Sequence, residues 1–251
     1  MKLGFLGYGH LARAIDAGIR TRSLLAPEDI CVCAKSAETK EYAKSLSHML
    51  CSDVCELFAL CDVVVLAVKP KVFREMSNVL KAIDTSGKKV ISVMAAVSIS
   101  ELSSVFTCPV MRVMPTVAVT NAEDIIGYTA HGDFDGIIGK MNLLGNVIRL
   151  DESMLDRLTV ASSCGLGFAA HMLEMYKAEC VQLGFSGEES RLIVSRIFGY
   201  AAQCGDFAAL EELVATKGGL TEAGIREMDC AQKDALNKAF TLAKERAGIK
   251  N

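Results

Sequence analysis

Short β-branched and apolar runs alternate with helically spaced apolar positions over residues 1 to about 115, the pattern of consecutive βαβ units that build a parallel sheet. Lys2–Leu6, Ile30–Cys33, Val63–Val68, Lys89–Val93 and Val110–Met114 predict strands, and Leu11–Arg20, Ala37–Leu46 and Val72–Ile83 predict helices. Ile125–His131 and Val147–Leu150 are candidates for added strands at one sheet edge. After Asp151 the strand signal stops, and Leu158–Leu183, Gly187–Cys204 and Thr221–Ala247 carry helical spacing. Leu158–Leu183 is apolar nearly all round, which predicts burial on most sides, against a second copy of itself. The expected architecture is α/β: a mostly parallel sheet over residues 1–150, followed by an all-helical domain over residues 151–251.

Composition narrows the classes of partner. With 251 residues and 51 % hydrophobic content the chain can bury a core. Its 27 basic and 30 acidic residues leave no electrostatic footprint for nucleic acid or an anionic membrane, so a small molecule is the expected ligand. No apolar stretch approaches a membrane span and the N-terminus shows no signal-peptide core, which predicts a cytoplasmic protein. Among ten cysteines, Cys31 and Cys33 lie in an apolar run, Cys61 precedes another, and Cys180 and Cys204 fall in helical patterns. These read as core thiols kept reduced in the cytosol. With no Cys-x-x-Cys and only scattered His10, His48, His131 and His171, no metal site is expected.

Candidate chemistry begins at Gly7-Tyr8-Gly9-His10-Leu11-Ala12, a G-x-G-x-x-A loop directly after the first strand and opening a helix. The first glycine allows a tight turn, the second lets backbone amides approach a pyrophosphate, and the small third residue lets helix and sheet pack closely. That context predicts a Rossmann-type dinucleotide site with Gly7, Gly9, His10 and Leu11 at the cofactor; His10 either touches the pyrophosphate or is solvated. At the end of the second strand, where an acid would bind a free ribose 2′-hydroxyl, the chain reads Cys33-Ala34-Lys35-Ser36. Lys35 and Ser36 suit a 2′-phosphate, so NADPH is expected ahead of NADH or S-adenosylmethionine. The other reading of Lys35 is an ordinary solvated lysine.

At Ala67-Val68-Lys69-Pro70 the chain begins to resemble the pyrroline-5-carboxylate reductase family. The likeness continues through Val93-Met94-Ala95-Ala96-Val97-Ser98, Arg112-Val113-Met114-Pro115 and Gly218-Gly219-Leu220-Thr221-Glu222-Ala223-Gly224. This resemblance implies NAD(P)H-dependent reduction of a cyclic imine, 1-pyrroline-5-carboxylate, to L-proline. It also implies a helical domain that interlocks in a homodimer or higher homo-oligomer. Ala67, Lys69 and Pro70 would lie beside the nicotinamide ribose, and Ala95 and Ala96 near the ring. Lys69-Pro70 reads equally as a strand end and a helix N1 proline.

The departures fall at the substrate end. The family's R-V-M-P-N-T-P becomes Arg112-Val113-Met114-Pro115-Thr116-Val117-Ala118, its G-S-G-P-A-Y becomes Ser163-Cys164-Gly165-Leu166-Gly167-Phe168, and a proline is replaced by Lys217. Thr116 and Cys164 would then weaken binding of the substrate carboxylate, which the backbone amides of Gly165, Gly218 and Gly219 could also hold. The retained Thr221 is the candidate catalytic residue, its hydroxyl bonding the ring nitrogen; its other reading is a helix N-cap. Two alternatives stay open: a reductase of a different cyclic imine carboxylate, and a catalytically impaired NADP-binding regulatory paralogue. A β-hydroxyacid dehydrogenase would need a catalytic lysine early in the helical half, and Leu158–His171 contains none.

Overall fold

The computed structural model describes residues 1–249, except for the side chains of 230–232. Its strands and helices alternate through the first part of the chain. Strands β1 (Leu3–Leu6), β2 (Ile30–Cys33), β3 (Met49–Leu50), β4 (Val63–Leu66), β5 (Lys89–Ser92) and β6 (Val110–Met114) are parallel. β7 (Asp124–His131) runs antiparallel to β6, and β8 (Gly145–Arg149) lies parallel to β7 at the edge. The order is β3-β2-β1-β4-β5-β6-β7-β8, so the edge strands expected near Ile125 and Val147 are present. β1 and β4 are wholly buried, which is why Leu-Gly-Phe-Leu and Val-Val-Val-Leu are continuous apolar runs rather than alternating ones.

Helices α1 (His10–Thr21), α2 (Ala37–Ser45), α3 (Val54–Leu60), α4 (Pro70–Lys81), α5 (Ile99–Ser103) and α6 (Asp135–Met141) complete this layer structure. One apolar core lies on the face that buries Phe5, Val65 and Ile126; the other holds Leu57, Phe58, Phe73 and Phe106. Strand β3 and helices α3, α5 and α6 were not expected, because each is shorter than the window over which periodicity can be read.

Two compact units result, Met1–Ser163 and the helical remainder from Cys164 onward. Helix α7 (Glu152–Thr159) packs on β6 and β7 and buries Leu155, so it sits in the first unit although the expected boundary fell before it. The single helix expected over Leu158–Leu183 is instead the end of α7, a π-helical segment Val160–Cys164, and α8 (Gly165–Gln182).

The second unit holds α8, α9 (Gly187–Gln203), α10 (Phe207–Val214) and α11 (Leu220–Arg246). Tyr176 of α8 meets Phe198 of α9 edge-on, and Phe168 of α8 meets Phe240 of α11. The chain alone does not bury α8 on most sides: Leu166, Met175, Tyr176 and Val181 are exposed, as is Leu183 just beyond it. Cys204, expected in the core, is also exposed, whereas Cys31, Cys61 and Cys180 are buried and Cys33 is half-buried. No helix among the described residues is long and apolar enough to cross a membrane.

Candidate functional site

The first unit gathers its candidate residues at the carboxyl edge of the sheet. Leu6 is in register with both Cys33 and Leu66, and Leu66 with Ser92, so the loops after β1, β2, β4 and β5 leave the sheet side by side. Backbone bonds stitch them together: Gly7 N–H donates to Cys33 O, Ala67 N–H to Leu6 O, and Val93 N–H to Leu66 O. Strand order reverses between β1 and β4, and in open α/β sheets ligands bind at such a point.

Gly7 has φ +85°, and a Cβ there would stand 2.8 Å from Ala67 O, so the tight turn demands glycine. A Cβ on Gly9 would meet nothing within 4 Å. Gly9 caps α1 without a side-chain acceptor, and the first turn carries no acid. The amides that open α1 therefore face free space with a favourable helix dipole, a fit for a pyrophosphate. Ala12 is buried, as the small third position of the motif requires, while His10 is exposed and Leu11 half-buried. Across the edge, Lys69 is the exposed cap of α4 with Pro70 at its N1 position, Ala67 is half-buried, and Ala95 and Ala96 are exposed.

Lys35 and Ser36 are exposed at the start of α2. The Ser36 hydroxyl already has local work: it caps α2 by accepting from Thr39 N–H and donates to Thr39 Oγ1 at 2.7 Å. Sequence reading missed Arg13. Its guanidinium donates to Tyr8 O and Thr39 Oγ1 and stacks 4.3 Å from the centre of the Tyr42 ring. The carboxyl end of β2 thus has two cations nearby, Lys35 and Arg13. The signal was a cation one turn past Gly9 on the unburied side of α1. Beside them the Cys33 thiol is pushed up by burial, with Asp53 adding to the effect.

Thr116 departs from expectation. It is buried, its hydroxyl donates to Asp124 Oδ1 at 2.8 Å, its N–H donates to Asp124 Oδ2, and its hydroxyl accepts from Ala118 N–H. It caps a short 3₁₀ turn, Val117–Asn121, and has no free group for a substrate.

In the second unit three expectations are corrected. Thr221 is not a helix cap: Gly219 is, and Thr221 is an exposed residue in the first turn of α11. The amides of Gly218 and Gly219 are not free, because Gly218 N–H donates to Glu222 Oε2 at 2.6 Å and Gly219 N–H to Thr216 O. Gly165 does not open a free helix start, since Cys164 before it is already helical at φ −69°, ψ −40°. Cys164 instead ends the π segment, a feature that tends to mark functional positions in helices.

Two family models match this chain. Residues 2–96 match the family described as NADP oxidoreductase, coenzyme F420-dependent, and residues 152–248 match pyrroline-5-carboxylate reductase dimerisation. A pyrroline-5-carboxylate reductase of Staphylococcus aureus (strain COL) is 29 % identical over the full length of both chains. Over its whole length the chain is thus similar to pyrroline-5-carboxylate reductases.

Solved structures share the fold. The Plasmodium falciparum pyrroline carboxylate reductase with NADP bound gives a TM-score of 0.84 at 23 % identity, covering 98 % of this chain and 97 % of that one. The 1-pyrroline-5-carboxylate reductase of Streptococcus pyogenes gives 0.85 at 21 %, covering 98 % of each. The departures from the pyrroline-5-carboxylate reductase motifs divide in two: Thr116 serves the architecture of the first unit, whereas Cys164 lies in the π segment.

Proposed function

We propose that this chain is an NADPH-dependent reductase of a cyclic imine carboxylate, converting 1-pyrroline-5-carboxylate to L-proline. The observation that carries the reading is the open start of α1 above Gly9, set beside the loops that leave β2, β4 and β5. NADPH is favoured over NADH because Lys35 and Arg13 stand near the end of β2, where no acid follows Cys33. The Plasmodium relative with NADP bound supports the same cofactor.

The bound nicotinamide supplies the hydride. The chain's tasks are then binding and orientation. Gly7, Gly9, His10 and Leu11 hold the pyrophosphate; Ala67, Lys69 and Pro70 flank the ribose; Ala95 and Ala96 flank the ring. A protonated imine is already electron-poor, so the substrate needs a partner for its nitrogen rather than a strong acid. The exposed Thr221 hydroxyl takes that role, with Cys164 toward the carboxylate. Gly218 can join them only if its amide exchanges Glu222 for the substrate. The dimerisation domain and the exposed apolar face of α8 support a homodimer or larger homo-oligomer, and we place the enzyme in the cytoplasm.

Cys164 and Lys217, in place of the family's serine and proline, favour a second reading, a nucleotide-binding paralogue with impaired turnover. NADPH oxidation measured with pyrroline-5-carboxylate, pyrroline-2-carboxylate and piperideine carboxylates separates the two. Turnover highest with the first supports the proposal, turnover highest with another changes the substrate, and binding without turnover favours the paralogue.

A further inference from the structure

The turn after β5 has a backbone that an L side chain rarely adopts. Ala96 sits at φ +57°, in the left-handed region, where a Cβ costs energy unless surrounding contacts impose the conformation. Two contact systems do so. Arg74, on α4, donates from Nη2 to the Ala96 carbonyl oxygen at 2.9 Å. The same guanidinium grips Glu101 of α5 with a fork, Nε to Oε1 at 2.8 Å and Nη2 to Oε2 at 3.0 Å. On the other side, Ile99 N–H donates to Glu152 Oε1 at 2.7 Å, and that carboxylate is held by the buried Arg112 at 2.9 Å. Arg112 also reaches Asp156 of α7. The turn from Ala95 to Ile99 is therefore tied to α4, α5, β6 and α7 while Ala95 and Ala96 stay exposed.

A turn that only connected β5 to α5 would gain nothing from holding alanine in this conformation, and a glycine would adopt it freely. We propose that Arg74 is a positioning residue: by holding the Ala96 carbonyl and Glu101 in one fork it sets the left-handed turn against which the nicotinamide end of the cofactor lies. The inference rests on the reductase reading, which places Ala95 and Ala96 at the ring. Arg74 touches neither cofactor nor substrate in this scheme; it acts through the backbone of Ala96. The fork matters as much as the charge, because a lysine can reach one acceptor but cannot bind Glu101 through two parallel N–H groups.

The test uses the full-length chain with NADPH and 1-pyrroline-5-carboxylate. Arg74→Ala should lower kcat by about five- to thirtyfold, the factor matching the cost of an unsupported left-handed alanine. Arg74→Lys should fall between the two, and KM for the imine should change much less than kcat. Ala96→Gly placed in the Arg74→Ala chain should recover most of the lost kcat, since glycine adopts the turn without the fork. A role confined to stapling α4 to α5 would give no such rescue. Should Arg74→Ala fold poorly, Glu101→Gln breaks the fork with Arg74 retained and is read the same way. Unchanged kcat in these variants, or a loss that Ala96→Gly does not repair, overturns the proposal.

Hydrogen exchange gives a readout free of turnover. NADPH should protect the amides of residues 94–99 in the parent chain more than in Arg74→Ala, and equal protection overturns the proposal. A parent chain that binds NADPH and reduces no imine defeats the reductase reading alone, leaving the exchange comparison to decide this one. A chain that binds no NADPH defeats both.

Discussion

The Tyr8 hydroxyl donates to the carboxylate of Asp16 at 2.6 Å, joining the middle of the glycine loop to the buried face of α1 two turns later. Asp16 is fully buried. Arg20 Nε reaches the same oxygen at 2.9 Å, and His48 Nε2 stands 3.1 Å from the other oxygen, out of hydrogen-bond alignment. His48 also contacts the Pro27 carbonyl through Nδ1, which makes that nitrogen the donor. A buried carboxylate is tolerated because three side chains converge on it, and the loop inherits its rigidity.

Removing the partners should therefore destabilise the fold. Tyr8→Phe should cost about 1.5–3 kcal/mol, the range for a hydrogen bond to a charged group. Asp16→Ala should cost more, about 3–5 kcal/mol, by removing the carboxylate that the half-buried Arg20 and the buried Tyr8 and His48 share. Urea unfolding of the variants measures both, and a cost below 0.5 kcal/mol for Asp16→Ala, roughly the scatter of neutral surface substitutions, contradicts this account.

The same carboxylate sets a pH dependence. Burial alone would raise the Asp16 pKa, but interactions with His48, Tyr8 and Arg20 outweigh it and hold the group below its ordinary 3.8. A depressed folded-state value gives stability that is present above the unfolded value and lost as pH falls through the folded one. The stability gap between the parent and Asp16→Asn should thus be full at neutral pH and shrink once pH drops below 3.8. Denaturation midpoints compared across that range check the sign; a gap that widens in acid would be the wrong one.

Nucleotide preference should follow the cations near α2. Lys35→Ala and Arg13→Ala should each weaken NADPH far more than NADH, by roughly tenfold to a hundredfold, the weight of a charge-assisted contact. Calorimetry with both nucleotides measures the ratio. Equal losses for the two nucleotides would place these side chains away from the 2′-phosphate.

Changing Thr116 to the family's asparagine should harm rather than help. The substitution disturbs a buried cap on Asp124, and the cost should be about 1–2 kcal/mol of stability without a gain in substrate affinity. Cys164→Ser, by contrast, should lower KM for the imine carboxylate if that position meets the substrate, because binding made equally in ground and transition states appears in KM. Thermal melts and steady-state kinetics on the two single variants separate these roles.

Assembly should depend on α8. Val181→Glu puts a charge on its exposed apolar face and should shift the chain to monomers at micromolar concentration. Sedimentation velocity reads the outcome, and a parent chain that is itself monomeric would show that the face is not an interface.

Much of the glycine loop and of the turn after β4 was legible in the sequence, because their requirements are local. A turn at φ +85° needs Gly7, close helix packing needs a residue as small as Ala12, and Pro70 marks an N1 position; each is fixed by one residue's own geometry. Strands β1 and β4 were legible for a similar reason, since burial on both faces writes them as unbroken apolar runs. What escaped was set across the chain. Thr116 owes its role to Asp124 on a neighbouring strand, Arg13 to Tyr42 and Thr39 on α2, and Arg74 to a carbonyl beyond the next strand. Glu222, read only as part of a motif, folds back onto Gly218, a contact between a side chain and an amide that no spacing announces.

The central claim is hydride transfer to 1-pyrroline-5-carboxylate, and isotope transfer tests it most directly. The chain is incubated with NADPH deuterated at the nicotinamide C4 on each face in turn, together with 1-pyrroline-5-carboxylate, and the product is examined by mass spectrometry. The account expects deuterium from one face to appear in L-proline at the former imine carbon, in step with NADPH oxidation. Bound NADPH with no deuterated proline from either face would contradict it.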